Sequence, residues 1–347
     1  MKRSRLGKPR MTEKEPIAIL DNDIDRHPAS LAWQQIDGGK SIPQVIEVLK
    51  QQEKSSVYRL RGRAPSRWTI IAKRCLSETG QLERVIYEEI LPFLPVSALN
   101  YYGYLKETES DVWLFLEDAG THRFLIRNES HRILAAQWLG TLHRSAQHTR
   151  AAHILPERGP AYYLELMQRG REHIMQSLAN PVLMPADLDL LRRILTQMGA
   201  LESNWRKLLK ICQGIPQTLA HGDFQPRNIH VKQTSTGDVL YTMDWEMAGW
   251  GIPLVDIAPS RGFSTDAQVD LPVYLSIVRE FWGDLDMHSL RYFVHVGCIF
   301  RRLAAIYWSS IGLSYPWIEE PILSMEIYHR ELAHAMAGVF GKEFVNG

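Results

Sequence analysis

Cysteine is scarce in this chain. Cys75, Cys212 and Cys298 are odd in number and far apart among 347 residues, and no CxxC pair occurs. That spacing excludes a disulfide framework and a thiolate zinc site, and suits a reducing compartment. Net charge is scarce too. Forty Lys and Arg against 39 Asp and Glu leave +1, so the global positive field of a dedicated nucleic-acid binder is missing. No apolar run approaches the ~20 residues of a membrane-spanning helix. The opening stretch, MKRSRLGKPRMTEKEP, is basic but lacks the apolar core of a secretory signal. These absences lead us to expect a cytoplasmic protein with no nucleic-acid or membrane partner. At 45% hydrophobic and 23% charged residues the chain has enough apolar material for a core. Its length suits two or three domains or lobes.

The patterning separates three regions. Residues 1–40 are polar, basic and aperiodic, and read as a flexible tail. Residues 41–118 are β-rich. Runs at 45–50, 57–62, 68–75, 101–105 and 112–117 carry β-branched and aromatic residues, and Ala64-Pro65-Ser66 supplies a turn. Between them, 79–91 places Leu82, Val85, Ile86 and Ile90 on one helical stripe. Residues 119–347 are mainly helical, with helices expected at 131–143, 160–178, 187–210, 267–282, 288–310 and 320–340. The prediction is an α+β, two-lobed protein: a small five-stranded lobe with one helix, then a larger helical lobe. A ligand cleft is expected between the two.

The chemistry-bearing segment interrupts the helical part. It reads LAHGDFQPRNIHV over 219–231 and YTMDWEMAGWGIPLVDIA over 241–258. Asp223 follows His221-Gly222, Asn228 comes five residues later, and Asp244 ends an apolar, strand-like run. A turn-rich stretch between them lets 228–233 and 239–243 pair as a hairpin. That pairing sets Asn228 beside Asp244. A carboxylate and an amide oxygen are hard ligands, and Mg²⁺ takes one or two such groups from protein and completes its shell with water and phosphate. Asp223, outside the hairpin, is left to orient a substrate hydroxyl and accept its proton.

The His-Gly-Asp, Asn228 and Asp244-Trp245-Glu246 series resembles the aminoglycoside phosphotransferase and choline kinase family, protein-kinase-like enzymes that act on small molecules. The resemblance implies a two-lobed kinase fold, ATP or GTP as co-substrate, Mg²⁺ held by Asn228 and Asp244, and Asp223 as the catalytic residue. It implies that His221 orients the loop and that Asp256 braces it through backbone hydrogen bonds. Ile70-Ile71-Ala72-Lys73 is similar to the strand whose lysine reaches the nucleotide phosphates in kinases. The family spacing of a Glu four residues before a Tyr picks Glu83, ahead of Tyr87, as the partner of Lys73, with Glu88 and Glu89 as competitors. The first strand-to-strand loop, 51–56, holds no glycine, so Ser55 and Ser56 become the side-chain donors to phosphate. Leu114–Gly120 is similar to the connector between lobes, where the backbone at Glu117 and Ala119 would read the nucleobase. His143 matches a common helix ending of the family, although a lone helical His is more often a hydrogen-bonded core residue.

Gly38-Gly39-Lys40-Ser41 copies the tail of a phosphate-binding loop, but position 34 is Gln rather than the required Gly, which removes that reading. A protein kinase is disfavoured because HGD replaces HRD and DWE replaces DFG. A catalytically silent member that only binds remains the alternative to an enzyme. The small-molecule acceptor is expected to meet the later helices. There Trp282, Asp284, Asp286, Trp308, Trp317, Glu319 and Glu320 would suit a cation, whereas Arg301 and Arg302 would suit an anion.

Overall fold

The structure, a computed structural model, describes residues 16–52, 54–62, 68–235 and 237–341. Residues 1–15 and the turn expected at Ala64-Pro65-Ser66 lie outside them. The chain divides into two compact units, Met1–Glu88 with Leu99–His122, and Glu89–Ala98 with Arg123–Gly347.

The first unit is built on β1 (Ala18–Leu20), α1 (Pro28–Asp37), β2 (Val45–Gln51), β3 (Ser55–Arg61), β4 (Thr69–Leu76), α2 (Ser77–Val85), β5 (Tyr101–Lys106) and β6 (Asp111–Glu117). Its strands form one antiparallel sheet in the order β1-β2-β3-β4-β6-β5. The five expected strands are all present, and β1 adds a sixth. β1 and α1 also correct the reading of 1–40 as a tail. Pro28 opens α1 at a position whose N–H would have no helical partner, His27 Nδ1 accepts the Ala29 N–H, and Gly38 at φ +69° ends it. Ala29, Ala32 and Trp33 sit in one buried cluster with Ile46, Leu60 and Phe115 of the sheet. Three apolar residues make a narrow stripe, yet burying a Trp-sized side chain contributes on the order of 4 kcal/mol.

Helix α2 packs on β6. Gly80 sits where a Cβ would lie 2.2 Å from Val112 Cγ2, so the helix can approach the strand closely. After Val85 the helix continues as a wider π-type turn, Ile86–Ile90.

The second unit holds α3 (Glu129–Ser145), α4 (Ala151–Ile154), β7 (Glu157–Arg158), α5 (Pro160–Ser177), α6 (Pro185–Ser203), α7 (Trp205–Cys212), β8 (Thr218–Ala220), β9 (Ile229–Thr234), β10 (Gly237–Thr242), β11 (Gly249–Gly251), α8 (Leu254–Ile257), α9 (Leu271–Trp282), α10 (Met287–Ile311) and α11 (Glu319–Phe340). The helix expected over 187–210 is two, α6 and α7. Asn204 divides them, its side-chain amide donating to the Ala200 carbonyl, a local bond that competes with helix continuation. α10 packs on α5, α8 and α11 and forms the spine of the unit. At Gly297 its backbone passes so near α8 that a Cβ would lie 2.1 Å from the Leu254 carbonyl oxygen. β9 and β10 pair as the expected antiparallel hairpin, with Ile229 opposite Thr242. β8 and β11 pair antiparallel, and β7 completes that small sheet. Among the described residues, no helix is long and apolar enough to cross a membrane.

Candidate active site

In the first unit, Lys73 lies mid-sheet, opposite Val57 on β3 and Leu114 on β6. Its Nζ is 2.6 Å from Glu83 Oε1, and Glu83 is fully buried. A charge this deep is tolerated only when paired. Glu88 instead pairs with Arg84 at 2.9 Å, and Glu89 is exposed. Tyr87 stacks on Tyr101 with ring centroids 6.0 Å apart. Ser55 and Ser56 do not lie in a loop. They form the start of β3, paired with Cys75 and Arg74. The strand runs further than its β-branched residues suggest, because ladder pairing with β4 recruits the serines. The Glu117 N–H is donated to the Asn100 carbonyl at 2.8 Å. Ala119 is buried on the following stretch.

In the second unit, β8 delivers the chain to His221, and Asp256 of α8 fixes the backbone at the next turn. Asp256 Oδ2 accepts the His221 N–H at 2.7 Å and Oδ1 accepts the Gly222 N–H at 2.8 Å. His143 Nε2 approaches Oδ2 at 3.3 Å, and Tyr274 Oη lies 2.9 Å from His143 Nδ1. Burial alone would push the Asp256 carboxyl up. The hydrogen bond of His143, with the backbone N–H of His221, outweighs that and holds it below the usual carboxylate range. Gly222 has φ +77°, and a Cβ there would sit 2.3 Å from the Met247 carbonyl oxygen, so this position requires glycine.

His221 is fully buried beneath Trp245, centroids 4.4 Å apart. Its Nδ1 accepts the Asp223 N–H at 3.3 Å, so the ring proton sits on Nε2 and points to the Met243 carbonyl at 3.2 Å. Burial pushes its pKa down despite Asp256, Asp223 and Asp244 nearby, which keeps the ring neutral. A neutral ring with both nitrogens engaged orients the loop and is poorly placed to act as a base.

Asp223 is surrounded by donors. Gln225 Nε2 bonds Oδ1, Asn228 Nδ2 reaches Oδ2 at 2.8 Å, and Arg227 Nη2 reaches the same oxygen at 3.0 Å. Arg301 Nη2 lies 3.6 Å from Oδ1. Arg301 also donates to the Val255 carbonyl at 3.0 Å. Arg302 donates to the Pro259 carbonyl and pairs with Glu331 at 2.6 Å. Both arginines therefore serve the protein's own interior and not an open anion site. Gln225 and Arg227 are additions that residue types alone did not suggest, although Arg227 falls four residues after Asp223, the spacing at which side chains meet on a helical turn.

The hairpin sets Asn228 across from Met243, the residue before Asp244, with the Met243 N–H donating to the Asn228 carbonyl at 3.0 Å. The Asn228 amide nitrogen faces Asp223, which turns its oxygen the other way. Asp244 has φ +66°, a left-handed conformation that a non-glycine residue adopts at a cost of order 1 kcal/mol or more. Among the described residues no group of three or more His, Cys, Asp or Glu is arranged to hold a metal. A carboxylate with an amide oxygen fits a cation that keeps most of its shell from phosphate and water, which is the habit of Mg²⁺.

Of the aromatic and acidic residues expected near the acceptor, Trp308, Trp317, Glu319 and Glu320 line one groove at the C-terminal end of α10. Trp282 packs on Tyr274 and Phe293 instead, and Asp286 caps α10 by accepting the Ser289 N–H.

Residues 83–286 match the model of the phosphotransferase enzyme family. No curated protein matches the chain in sequence. Among solved structures, the chain is similar to an aminoglycoside phosphotransferase, APH(2")-IIIa, in its GDP and kanamycin complex (14% identity, TM-score 0.57, 86% of this chain and 97% of that one). It is similar to choline kinase from Cryptosporidium parvum Iowa II (13% identity, TM-score 0.57, 84% and 88%). A spectinomycin phosphotransferase bound to ADP and spectinomycin also aligns (10% identity, TM-score 0.53, 88% and 98%). At these identities the likeness is one of fold.

Proposed function

Since the chain belongs to the phosphotransferase enzyme family, we propose that it is a small-molecule kinase moving the γ-phosphoryl of ATP or GTP to a hydroxyl of a small acceptor. The observation that carries the reading is the loop Asp223–Asn228, whose entry at His221 and Gly222 is pinned by Asp256 through two consecutive backbone N–H groups. Phosphoryl transfer asks mainly for positioning and charge, and a loop held this rigidly supplies positioning.

Each residue then has a role. The Lys73 ammonium, aimed by buried Glu83, takes phosphate oxygens of the nucleotide. Asn228 and Asp244 would hold Mg²⁺, which when bound neutralises phosphate charge. Asp223 accepts the hydrogen bond of the acceptor hydroxyl and takes its proton as the oxygen attacks phosphorus. His221 keeps the loop in register, and Asp256 holds His221. Residues 41–118, with β1 and α1 added, take the nucleotide-binding role, and 119–347 carry the loop and the acceptor site.

The solved relatives bound to ADP and to GDP motivate testing both triphosphates. Kanamycin, spectinomycin, choline and ethanolamine are the first acceptors to try. The test is a panel of small alcohols, amino alcohols, sugars and aminoglycosides with ATP and GTP in parallel, with Asp223→Ala as control. Acceptor-dependent release of diphosphate, lost in the variant, supports the reading. Nucleotide binding without turnover on any acceptor points to the silent binding protein.

A further inference from the structure

Asp223 has a difficulty as a proton acceptor. A carboxylate oxygen offers two lone-pair directions. On Oδ2 both are taken, by Asn228 Nδ2 at 2.8 Å and by Arg227 Nη2 at 3.0 Å. Oδ1 accepts from Gln225, and Arg301 stands beyond hydrogen-bond distance of it at 3.6 Å. For an acceptor hydroxyl to bond Oδ2, one donor has to leave.

The donors are not held equally. Asn228 is buried and bonds both the side chain and the carbonyl of Asp223. Arg301 is 7% exposed and anchored on the Val255 carbonyl. Arg227 is 67% exposed, and Asp223 is its one hydrogen-bond partner among the described residues. An ion pair made by so exposed a side chain is weak and readily exchanged. Its charge also feels Asp244 and Glu246. The guanidinium is thus bonded to the proposed base and close enough to Asp244, a proposed metal ligand, to feel its charge.

Resting on the kinase reading above, we propose that Arg227 is a catalytic residue that exchanges Asp223 for the transferred phosphoryl group. With nucleotide bound, the guanidinium leaves Asp223 Oδ2 and pairs with γ-phosphoryl oxygens, which offer its fork several charged acceptors in place of one carboxylate oxygen. The vacated lone pair on Oδ2 receives the acceptor hydroxyl. The acceptor oxygen forms its bond to γ-phosphorus, and the bond from γ-phosphorus to the β,γ-bridging oxygen breaks. That electron pair stays on the nucleoside diphosphate, and the hydroxyl proton moves to Asp223. One residue thereby unmasks the base and supplies positive charge to the group in flight, as arginines from partner proteins do in other phosphoryl-transfer systems. In the absence of nucleotide the same contact keeps Oδ2 covered.

The test needs no knowledge of the acceptor. The full-length protein, Arg227→Gln and Arg227→Lys are titrated with ADP and Mg²⁺, with and without aluminium fluoride as a mimic of the phosphoryl group. In the wild type, aluminium fluoride is expected to tighten ADP binding. In Arg227→Gln that gain falls at least tenfold while the affinity for ADP alone stays within twofold, and Arg227→Lys keeps part of the gain. Thermal melting of each variant within a few degrees of wild type shows that folding is intact, as suits an exposed side chain. An unchanged gain in Arg227→Gln, or an equal loss for ADP with and without the mimic, overturns the assignment and leaves the kinase reading standing. A wild type that binds no ADP, or shows no gain, overturns the kinase reading and this inference together.

Discussion

His143 Nε2 lies 3.3 Å from Asp256 Oδ2, and both side chains are fully buried. The pair supports the backbone that leads into Asp223. Tyr274 of α9 fixes His143 of α3, His143 fixes Asp256 of α8, and Asp256 fixes the backbone of His221 and Gly222. Three helices thus converge on two N–H groups that precede the proposed base.

Removing that carboxylate strands several buried donors. Asp256→Ala is expected to cost about 3–5 kcal/mol, the range for breaking a buried charged network. Asp256→Asn keeps one acceptor oxygen but turns an NH₂ group toward a backbone N–H, so it should recover only part of the loss. Urea unfolding of both variants checks the order. An Asp256→Asn protein as stable as wild type would mean that the loop is held by something else.

Acid sensitivity should begin in the histidine range. Burial holds His221 below its ordinary value, and His27, His131, His295 and His329 are pushed the same way by burial. In the unfolded chain these rings take up a proton near pH 6.5, while the native protein resists it. The unfolded state then binds more protons, so stability rises with pH in that window. It is full above the ordinary histidine value and falls as pH drops through it. Asp256, held low, adds a second loss as pH falls below the usual carboxylate range. Urea midpoints measured from pH 8 to pH 5 should decline below about pH 6.5. A flat profile down to pH 5 contradicts the assignment of neutral buried rings.

Asp223→Ala should separate chemistry from binding. Loss of a positioned proton acceptor typically lowers the rate by about 10²–10⁴-fold. The residues proposed to hold the nucleotide are untouched, so its affinity should stay within a few-fold. Calorimetry of ADP binding beside single-turnover kinetics makes the distinction. Equal losses in both would assign Asp223 to ligand binding.

Asp244 pairs strain with a proposed metal role. Asp244→Gly relieves the left-handed backbone at φ +66° and should change stability by no more than about 1 kcal/mol in either direction. The Mg²⁺ dependence of turnover should nevertheless weaken sharply. A variant with an unaltered metal response would remove Asp244 from the metal site.

The parts of the site that could be read in advance share one property: chemistry demands certain residue types at a fixed separation. Asp223, Asn228 and Asp244 are of this kind, and the β9–β10 hairpin between them is announced by its turn. Asp256 was accessible through family resemblance, because a brace by backbone hydrogen bonds leaves only a single acidic residue as its trace. Ser55 and Ser56 were misplaced because strand ends depend on the partner strand, and β4 extends β3 past its β-branched stretch. α1 was missed because its buried face is short and dominated by Trp33. In the sequence Arg301 is a cation on a late helix that would suit an anion, and its position beside Asp223 exists only once α10 lies across α8.

The Lys73–Glu83 pair permits a test that divides stability from function. Glu83 has no solvent exposure, so Glu83→Ala removes a buried carboxylate paired with the Lys73 ammonium and should cost about 3–5 kcal/mol. Replacing both residues with apolar side chains of similar size removes the desolvation cost along with the attraction, and such swaps are often neutral for stability. Lys73→Met combined with Glu83→Leu should therefore melt near the wild-type temperature. If Lys73 serves the nucleotide phosphates, the double variant will fold normally and still bind ADP at least tenfold more weakly. Recovery of stability together with wild-type ADP affinity would make the pair a structural element alone, and the ammonium at the centre of the sheet would have no part in nucleotide binding.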